Sequence, residues 1–109
     1  MRRGEVWWAN LPQPSGRRPV LLLSRDAAYE RRMSITVAPI TRTSRGIPVE
    51  VSLDQRDGMA VPCVVNADDL LTVPKVLMEE RISTLSRDKM SQVARAIVFA
   101  LDLEPDLEG

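Results

Sequence analysis

Histidine is absent from this 109-residue chain, and cysteine occurs once, at Cys63. Without histidine the chain lacks the most common general acid–base side chain and the most common metal ligand. With one cysteine, a zinc site would have to rest on carboxylates, which excludes the usual zinc ligand sets. The lone Cys63 also excludes an internal disulfide and is typical of a reducing compartment. Because it lies in the apolar segment 61–65, we interpret it as a small buried residue and not as a nucleophile.

Long hydrophobic runs are also missing, so the sequence predicts no membrane span. Residues 1–5 lack the apolar core and cleavage site of a signal peptide, and we therefore expect a cytoplasmic protein. The composition, 44% hydrophobic and 28% charged, is ordinary for a globular chain. Its length predicts one domain over residues 1–109, in which residues 104–109 form an acidic, frayed tail.

Charge is unevenly distributed, although the formal net charge is zero. Residues 1–46 carry nine arginines against three acids, a balance of +6. Residues 47–109 carry six basic residues against twelve acids, a balance of −6. This asymmetry indicates a site for a polyanion in the first half of the chain. The acidic half has a plainer interpretation, as a solvated helix and tail.

Apolar runs and alternating patterns predict a series of short strands followed by one helix. The predicted strands are residues 5–11, 19–24, 33–40, 49–53, 61–67, 70–73 and 80–85. Residues 25–32 are expected to hold one or two helical turns, and the proline- and glycine-rich segment 12–16 predicts a hairpin loop. Pro39 has to lie near a sheet edge or a strand end, because it cannot donate a ladder hydrogen bond.

The last helix is predicted to begin after Ser86, a favourable N-cap residue, and to run through Leu103. Its apolar side chains recur at steps of three and four residues: Met90, Val93, Ala94, Ile97, Ala100 and Leu101. Strands followed by one such helix predict a mostly-β fold, a small antiparallel barrel with a C-terminal amphipathic helix. The sequence leaves two expectations for the apolar side chains of Trp7, Trp8 and the helix face. They either fill the core of this barrel or are buried in the interface of a homodimer.

Arg18 is the first candidate functional residue. The segment 16–24 places Arg17 and Arg18 directly before the apolar run 20–23, which reads as a buried strand. Pro19 favours an extended backbone at Arg18, which sets this side chain at the mouth of a rigid element. Its planar, permanently charged guanidinium suits phosphate oxygens. The alternative is an ordinary solvated pair of arginines.

Thr41 is the second candidate, because it ends the third predicted strand and begins the basic loop 41–46. Taken alone, it is typical of a turn residue that bonds its own backbone. Taken with Arg18, it predicts a cluster, since the two core strands would end at matching sheet ends. Arg17, Arg42, Arg45 and Ser15 would surround that rim. Arg42 and Arg45 are equally typical of a solvated loop.

Several segments together resemble the MazF/PemK toxins of bacterial toxin–antitoxin systems. The segments are Arg3-Gly4-Glu5-Val6-Trp7, Arg18-Pro19-Val20, Val37-Ala38-Pro39-Ile40-Thr41 and Arg81-Ile82-Ser83-Thr84-Leu85, followed by the closing helix. The resemblance covers nearly the whole chain in order. It implies an SH3-like barrel of the CcdB/MazF type, a homodimer, and a toxin endoribonuclease (mRNA interferase) that cuts single-stranded RNA sequence-specifically without metal or cofactor.

The resemblance also implies roles for individual residues. Arg18 and Thr41 would be catalytic, in a reaction where the ribose 2′-hydroxyl is the nucleophile and the products carry 2′,3′-cyclic phosphate and 5′-hydroxyl ends. The expected RNA-binding residues are Ser15, Gly16, Arg17, Arg42, Thr43 and Arg45. The implied partner is a cognate antitoxin, whose acidic disordered tail would occupy the arginine-rich groove.

Two departures from the family pattern leave the recognised RNA sequence open. The loop 12–17 is short and lacks an acidic residue, and residues 66–69 replace a Leu-Glu-Gln segment that many relatives carry. Two other functions are compatible with the same fold: a poison of DNA gyrase, and a non-catalytic RNA- or protein-binding module. The pair Arg18 and Thr41 favours the nuclease, because neither alternative requires it.

Overall fold

A computed structural model describes residues 1–103 of the chain, so the predicted tail 104–109 lies outside the described residues. Seven strands and two α-helices occur in the described part. In chain order they are β1 (Glu5–Asn10), β2 (Arg17–Leu22), α1 (Ala28–Arg31), β3 (Ser34–Thr41), β4 (Glu50–Leu53), β5 (Cys63–Asn66), β6 (Leu71–Pro74), β7 (Met78–Thr84) and α2 (Arg87–Ala100). The mostly-β class with a C-terminal helix is confirmed.

All strand pairs are antiparallel, in the order β4-β5-β3-β2-β1-β7, and β6 pairs with the first half of β3. The predicted hairpin is present, with Val6 opposite Leu21 and Asn10 opposite Arg17. β4 and β7, at the two ends of this order, share no ladder, so the sheet of residues 1–103 is not closed into a barrel.

Side chains join the two ends of the sheet where a ladder does not. The Ser83 hydroxyl of β7 donates to the carbonyl oxygen of Asp57, in the one-turn 3-10 segment that follows β4. Lys89 of α2 donates to the Ser52 carbonyl at 2.9 Å and lies 3.7 Å from an Asp57 carboxylate oxygen. β4 has only four residues before the chain turns away, so β7, which pairs with β1 on its other side, contacts this turn and not the edge of β4.

Pro39 lies inside β3, neither at a sheet edge nor at a strand end. On one side it is opposite Val20 of β2. On the other side β3 pairs with β6 up to Val37 and with β5 from Ile40 onward. Pro39 therefore falls in the gap between two partner strands, where a missing N–H costs no ladder hydrogen bond.

The two faces of the sheet bury two separate apolar clusters. Leu21 belongs to the cluster beneath α2, together with Val51 and Val93. Val20 and Leu22 belong to the cluster on the opposite face. Because side chains of a strand alternate between faces, this explains why the run 20–23 is apolar throughout.

The helix α2 agrees with the sequence prediction at its start and differs along its face. The Ser86 side chain accepts from the backbone N–H of Lys89 at 3.1 Å, which confirms the cap. Val93 and Ala96 are the buried positions, whereas Ala94 is exposed. α2 ends at Ala100 and not at Leu103, and Leu101, just beyond its end, is 53% exposed. Neither helix of residues 1–103 is long and apolar enough to cross a membrane.

Candidate active site

The register between β2 and β3 brings Arg18 and Thr41 to one end of the sheet. The ladder pairs Leu22 with Val37 and Val20 with Pro39. Continued by two residues in the same register, it places Arg18 opposite Thr41, and directly opposite residues are nearest neighbours in an antiparallel pair. Both side chains line a cavity of about 570 Å³ and also an adjoining recess of about 210 Å³.

The Arg18 side chain is half-buried and anchored by a single hydrogen bond. Its Nε donates to the carbonyl oxygen of Ser15 at 3.3 Å. No carboxylate of residues 1–103 forms an ion pair with it. Arg18 lines both cavities, and its outer guanidinium nitrogens form no hydrogen bond within residues 1–103, which leaves their donors available to an anion.

Thr41 forms the local turn bond that its sequence position also predicted. Its Oγ1 accepts from the backbone N–H of Thr43 at 3.2 Å. That bond uses the oxygen as an acceptor and leaves the hydroxyl hydrogen to donate. The turn interpretation and the site interpretation are thus compatible, because the turn fixes the hydroxyl at the rim where Arg18 lies.

The larger space, which we call the apolar cavity, combines apolar walls with a cationic rim. Three of its lining residues are arginines: Arg17, Arg18 and Arg42. None of its lining residues is acidic. Its other lining residues are Trp8, Pro19, Ile40, Thr41, Thr43, Gly58, Met59, Ala60, Val61, Cys63 and Ile82.

The smaller space, which we call the polar recess, has a mixed lining. Arg45 and Thr43 line it alongside Arg18 and Thr41. Its other lining residues are Pro39, Glu50, Asn66 and Asp69. None of these four is among the predicted RNA-binding residues, although Asn66 and Asp69 belong to the segment 66–69 that departs from the family pattern. Glu50 lies on the outer face of β4, between the buried Val49 and Val51, and this face borders the recess.

Glu50 holds the basic loop between β3 and β4 through several hydrogen bonds. Its carboxylate accepts from the backbone N–H groups of Arg45, at 2.9 Å, and Gly46, at 3.0 Å, and from the Ser44 hydroxyl at 3.3 Å. Partial desolvation raises the pKa of Glu50, but the backbone N–H donors, Arg45 first among them, lower it more, so its pKa lies below the usual value. The ionised side chain thereby fixes the loop that carries Arg42 and Arg45.

The remaining predicted RNA-binding residues occupy different places. Arg42 is exposed at the rim of the apolar cavity. The Arg17 guanidinium lies over the Trp8 ring, 4.3 Å from its centroid, and its Nε is 2.8 Å from a carboxylate oxygen of Glu79. Ser15 and Gly16 line neither cavity.

Ser15 supports Arg18 through its carbonyl, and Gly16 closes the β1–β2 turn, where its own carbonyl accepts from the backbone N–H of Leu11 at 3.0 Å. Gly16 has a φ of +67°, a conformation that glycine adopts without strain.

Cys63 is buried, as predicted, in the wall of the apolar cavity. Burial raises the pKa of the Cys63 thiol, and the nearby Asp57 carboxylate raises it further. A thiol held protonated at neutral pH is a poor nucleophile. Residues 1–103 also contain no group of three or more histidine, cysteine or acidic side chains placed to hold a metal ion.

These features define a small β protein with one antiparallel sheet, a packed C-terminal helix, and an apolar cavity rimmed by three arginines. Comparison with known proteins gives a family with this architecture. Residues 2–101 match the model of the PemK-like, MazF-like toxins of type II toxin–antitoxin systems. The chain belongs to this toxin family.

Curated and solved relatives agree with the family match. The chain is 38% identical over 99 residues to a probable endoribonuclease MazF2 of Mycobacterium tuberculosis, covering 89% of this chain and 94% of that protein. The solved Mycobacterium tuberculosis toxin MazF-mt6 superposes with a TM-score of 0.86 at 35% identity, covering 93% and 99% of the two chains. A mycobacterial endoribonuclease solved with its cognate antitoxin has a TM-score of 0.84 at 25% identity, covering 96% and 98%.

Proposed function

We propose that this toxin is an endoribonuclease that cleaves single-stranded RNA sequence-specifically and without a metal ion. The observation that carries the proposal is the position of Arg18 and Thr41 at the junction of the apolar cavity and the polar recess. An RNA strand that crosses this junction would place one phosphate against both side chains and a nucleotide on either side. The named endoribonucleases among its relatives support the same activity.

The proposed reaction uses a nucleophile that the RNA itself carries. The ribose 2′-oxygen attacks the adjacent phosphorus, and the bond from phosphorus to the 5′-oxygen breaks. The 2′-hydroxyl loses one proton and the leaving 5′-oxygen gains one, so the products are a 2′,3′-cyclic phosphate and a 5′-hydroxyl. Because the chain has no histidine and only a protonated Cys63, a route without a protein nucleophile suits its residues.

Arg18 has the larger role in this mechanism. Its outer nitrogens would donate to the phosphorane oxygens, where negative charge builds in the transition state, and Thr41 would orient the same phosphate through its hydroxyl. Preorganised donors of this kind lower a barrier most when they are fixed in advance. The Ser15 carbonyl and the Thr43 N–H provide that fixation.

Further contacts and partners follow from the arginine distribution. Arg17, Arg42 and Arg45 would bind flanking phosphates, and Ser15, Gly16 and Thr43 would contact bases of the unpaired strand. A cognate antitoxin with an acidic disordered tail would compete for the same arginines, as electrostatic complementarity predicts. A homodimer would bury apolar side chains left exposed at the end of α2, among them Phe99, which is 63% exposed.

The experiment is cleavage of a long single-stranded RNA by the purified, antitoxin-free protein in excess EDTA, with both product ends mapped. Discrete cuts with 5′-hydroxyl and cyclic phosphate ends are expected. Arg18→Ala is expected to lower kcat by about 100- to 1000-fold, the loss typical of one transition-state donor. Arg31→Ala is the matched control, because this exposed arginine of α1 lines neither cavity.

Two results would contradict the proposal. One is cleavage that requires an added divalent cation, and the other is an Arg18→Ala variant that retains full activity in a folded protein. Toxicity that persists in Arg18→Ala without RNA cleavage would instead favour the gyrase-poison function, which uses a protein surface. Binding of RNA without cleavage by the wild-type protein would favour the non-catalytic module.

A further inference from the structure

Trp8 was expected in the core or in a homodimer interface, but it lines the apolar cavity, where the proposed chemistry gives it no role. It is half-buried in β1, opposite Pro19 of β2 and Glu80 of β7. Its neighbour Trp7 packs against the cluster on the other face of the sheet and donates from Nε1 to Glu5 at 3.0 Å. The two tryptophans therefore differ: Trp7 completes a core, whereas Trp8 forms part of a cavity wall.

A charged pair, Arg17 and Glu79, lies against the Trp8 ring. The Arg17 guanidinium lies over the ring, and Glu79 on β7 holds that guanidinium through its Nε. The quadrupole of an indole ring attracts a cation placed over its face, and this attraction restricts the motion of both side chains. This contact covers one face of the indole and restricts its motion, which lowers the ordering cost of a ligand that stacks on the other face.

The surroundings of Trp8 select the chemical class of that ligand. Ile40, Met59 and Ile82 supply apolar wall around it, and no acidic residue lines the cavity. Guanidinium groups at the rim favour a phosphate, while the interior favours a flat, largely apolar ring. A nucleotide of an unpaired RNA strand has both parts, and a volume of about 570 Å³ is in the range of small-ligand sites.

We propose that Trp8 is a stacking platform for one nucleobase of the RNA, next to the phosphate held by Arg18 and Thr41. The inference rests on the proposed function for the identity of the ligand. Aromatic side chains commonly bind unpaired bases in this way, and the contact tolerates different bases because each has a π-face. In this arrangement Arg17 keeps the indole in place and contributes charge, and the polar recess takes the strand on the other side of the cut.

The first experiment measures binding without cleavage. A 2′-O-methyl RNA has no free 2′-hydroxyl, so the proposed reaction cannot cut it. Its binding to the wild-type protein is expected to quench tryptophan fluorescence, and Trp8→Phe is expected to remove most of the quenching, since Trp7 lies on the other face. Affinity should fall about 10- to 100-fold in Trp8→Leu and little in Trp8→Phe, because phenylalanine retains a stacking ring and leucine does not.

The second experiment pairs the tryptophan with the base it is expected to bind. A set of RNAs, each with one abasic position near the cut, is measured against the wild-type protein and Trp8→Leu. At one position the abasic change should weaken wild-type binding about 10- to 100-fold and have little further effect in Trp8→Leu, the signature of a direct contact in a double-mutant cycle. The abasic scan of the wild-type protein alone also tests the contact, through the loss of quenching at that position.

The outcomes separate this inference from the proposed function. The stacking role would be overturned if Trp8→Phe and Trp8→Leu bound RNA with equal affinity. It would also be overturned if the abasic change and Trp8→Leu had additive effects on affinity at every position. In either case, cleavage of RNA by the wild-type protein would still support the nuclease. Quenching by an acidic peptide but not by RNA would overturn it as well and assign the cavity to a protein partner. Quenching by RNA without any cleavage would support the platform and contradict the nuclease.

Discussion

Glu5 is the one charged residue that is buried within residues 1–103, at 8% exposure. Its carboxylate accepts from the backbone N–H of Arg2 and from Trp7 Nε1, both at 3.0 Å, and lies 3.4 Å from Arg81 Nη1 of β7. Burial raises the pKa of Glu5, but these donors, Trp7 first, lower it more, so its pKa lies below the usual value. The N-terminal turn, β1 and β7 are thus joined by one ionised side chain.

We expect Glu5→Gln to lower the free energy of unfolding by about 1–2 kcal/mol at pH 7, because a neutral amide replaces a carboxylate that three donors share. The pKa of Glu5 is lower in the folded protein than in the unfolded chain, so its ionised form stabilises the fold. This stabilisation is fully present above the pKa of the unfolded chain and is lost as the pH falls through the pKa of the folded protein. The difference in the free energy of unfolding between the wild type and Glu5→Gln should therefore become smaller below about pH 4. Urea unfolding at several pH values measures it.

The exposed Glu80 of β7 provides the control for this pH series. Glu80→Gln should change the free energy of unfolding by no more than about 0.5 kcal/mol, as for most surface substitutions. A Glu5→Gln effect that stays constant from pH 7 to pH 3 would show that packing, and not ionisation, is responsible.

At the scale of elements, the ends of the open sheet meet through the turn between β4 and β5. Asp54 caps the 3-10 segment Gln55–Asp57, which ends at Gly58 with a φ of +87°. An added Cβ at Gly58 would collide with the Ser83 side chain of β7. Gly58 therefore permits both the left-handed backbone and the close approach of β7, and it borders the apolar cavity.

Gly58→Ala is expected to destabilise the protein more than Gly46→Ala. Both glycines have positive φ, but an added Cβ at Gly46 meets nothing within 4 Å. Gly46→Ala should cost roughly 1–2 kcal/mol for the backbone conformation alone. Gly58→Ala should cost about 1–3 kcal/mol more, for the forced shift of Ser83. Thermal unfolding of the two variants measures the difference, and equal losses would show that β7 is not packed against this turn.

At the scale of the whole molecule, four arginines from the arginine-rich first half of the chain converge on one site. Arg17 and Arg18 begin β2, Arg42 and Arg45 lie in the loop after β3, and together they line two adjoining cavities. Acidic residues of the second half, Glu50 and Asp69, line only the polar recess. The protein thus presents a cationic groove despite zero formal net charge.

RNA binding should consequently depend on salt, with a slope set by these arginines. For single-stranded RNA each phosphate contact contributes about −0.7 to the slope of log affinity against log salt concentration. Arg42→Ala should make the slope less steep by about 0.7, whereas Arg31→Ala on α1 should leave it unchanged. Titration of a 2′-O-methyl RNA at several salt concentrations measures both. If Arg31→Ala changed the slope as much as Arg42→Ala does, RNA would bind to the positive surface in general and not to this site.

Local chemistry is what made parts of the fold and site predictable. Proline and glycine at 12–16 predict the hairpin, and Ser86 predicts the start of α2, because caps and turns depend on residues close in sequence. The alternating pattern over residues 49–53 predicts the strand that the structure contains as β4. The helix face was only partly predicted, since the burial of Ala96 and the exposure of Ala94 depend on how α2 lies on the sheet.

By itself the sequence determined the strands and closing helix, the excess of arginine in the first half, the absence of histidine chemistry, and the resemblance that points to Arg18 and Thr41. Only the tertiary structure decided that the sheet stays open, that Pro39 lies between two partner strands, and that Trp8 and Glu50 border the same site. These features depend on register and on contacts between residues far apart in the chain. Such contacts leave no mark on local propensity, because a strand's pattern records which face is buried and not which strand lies beside it.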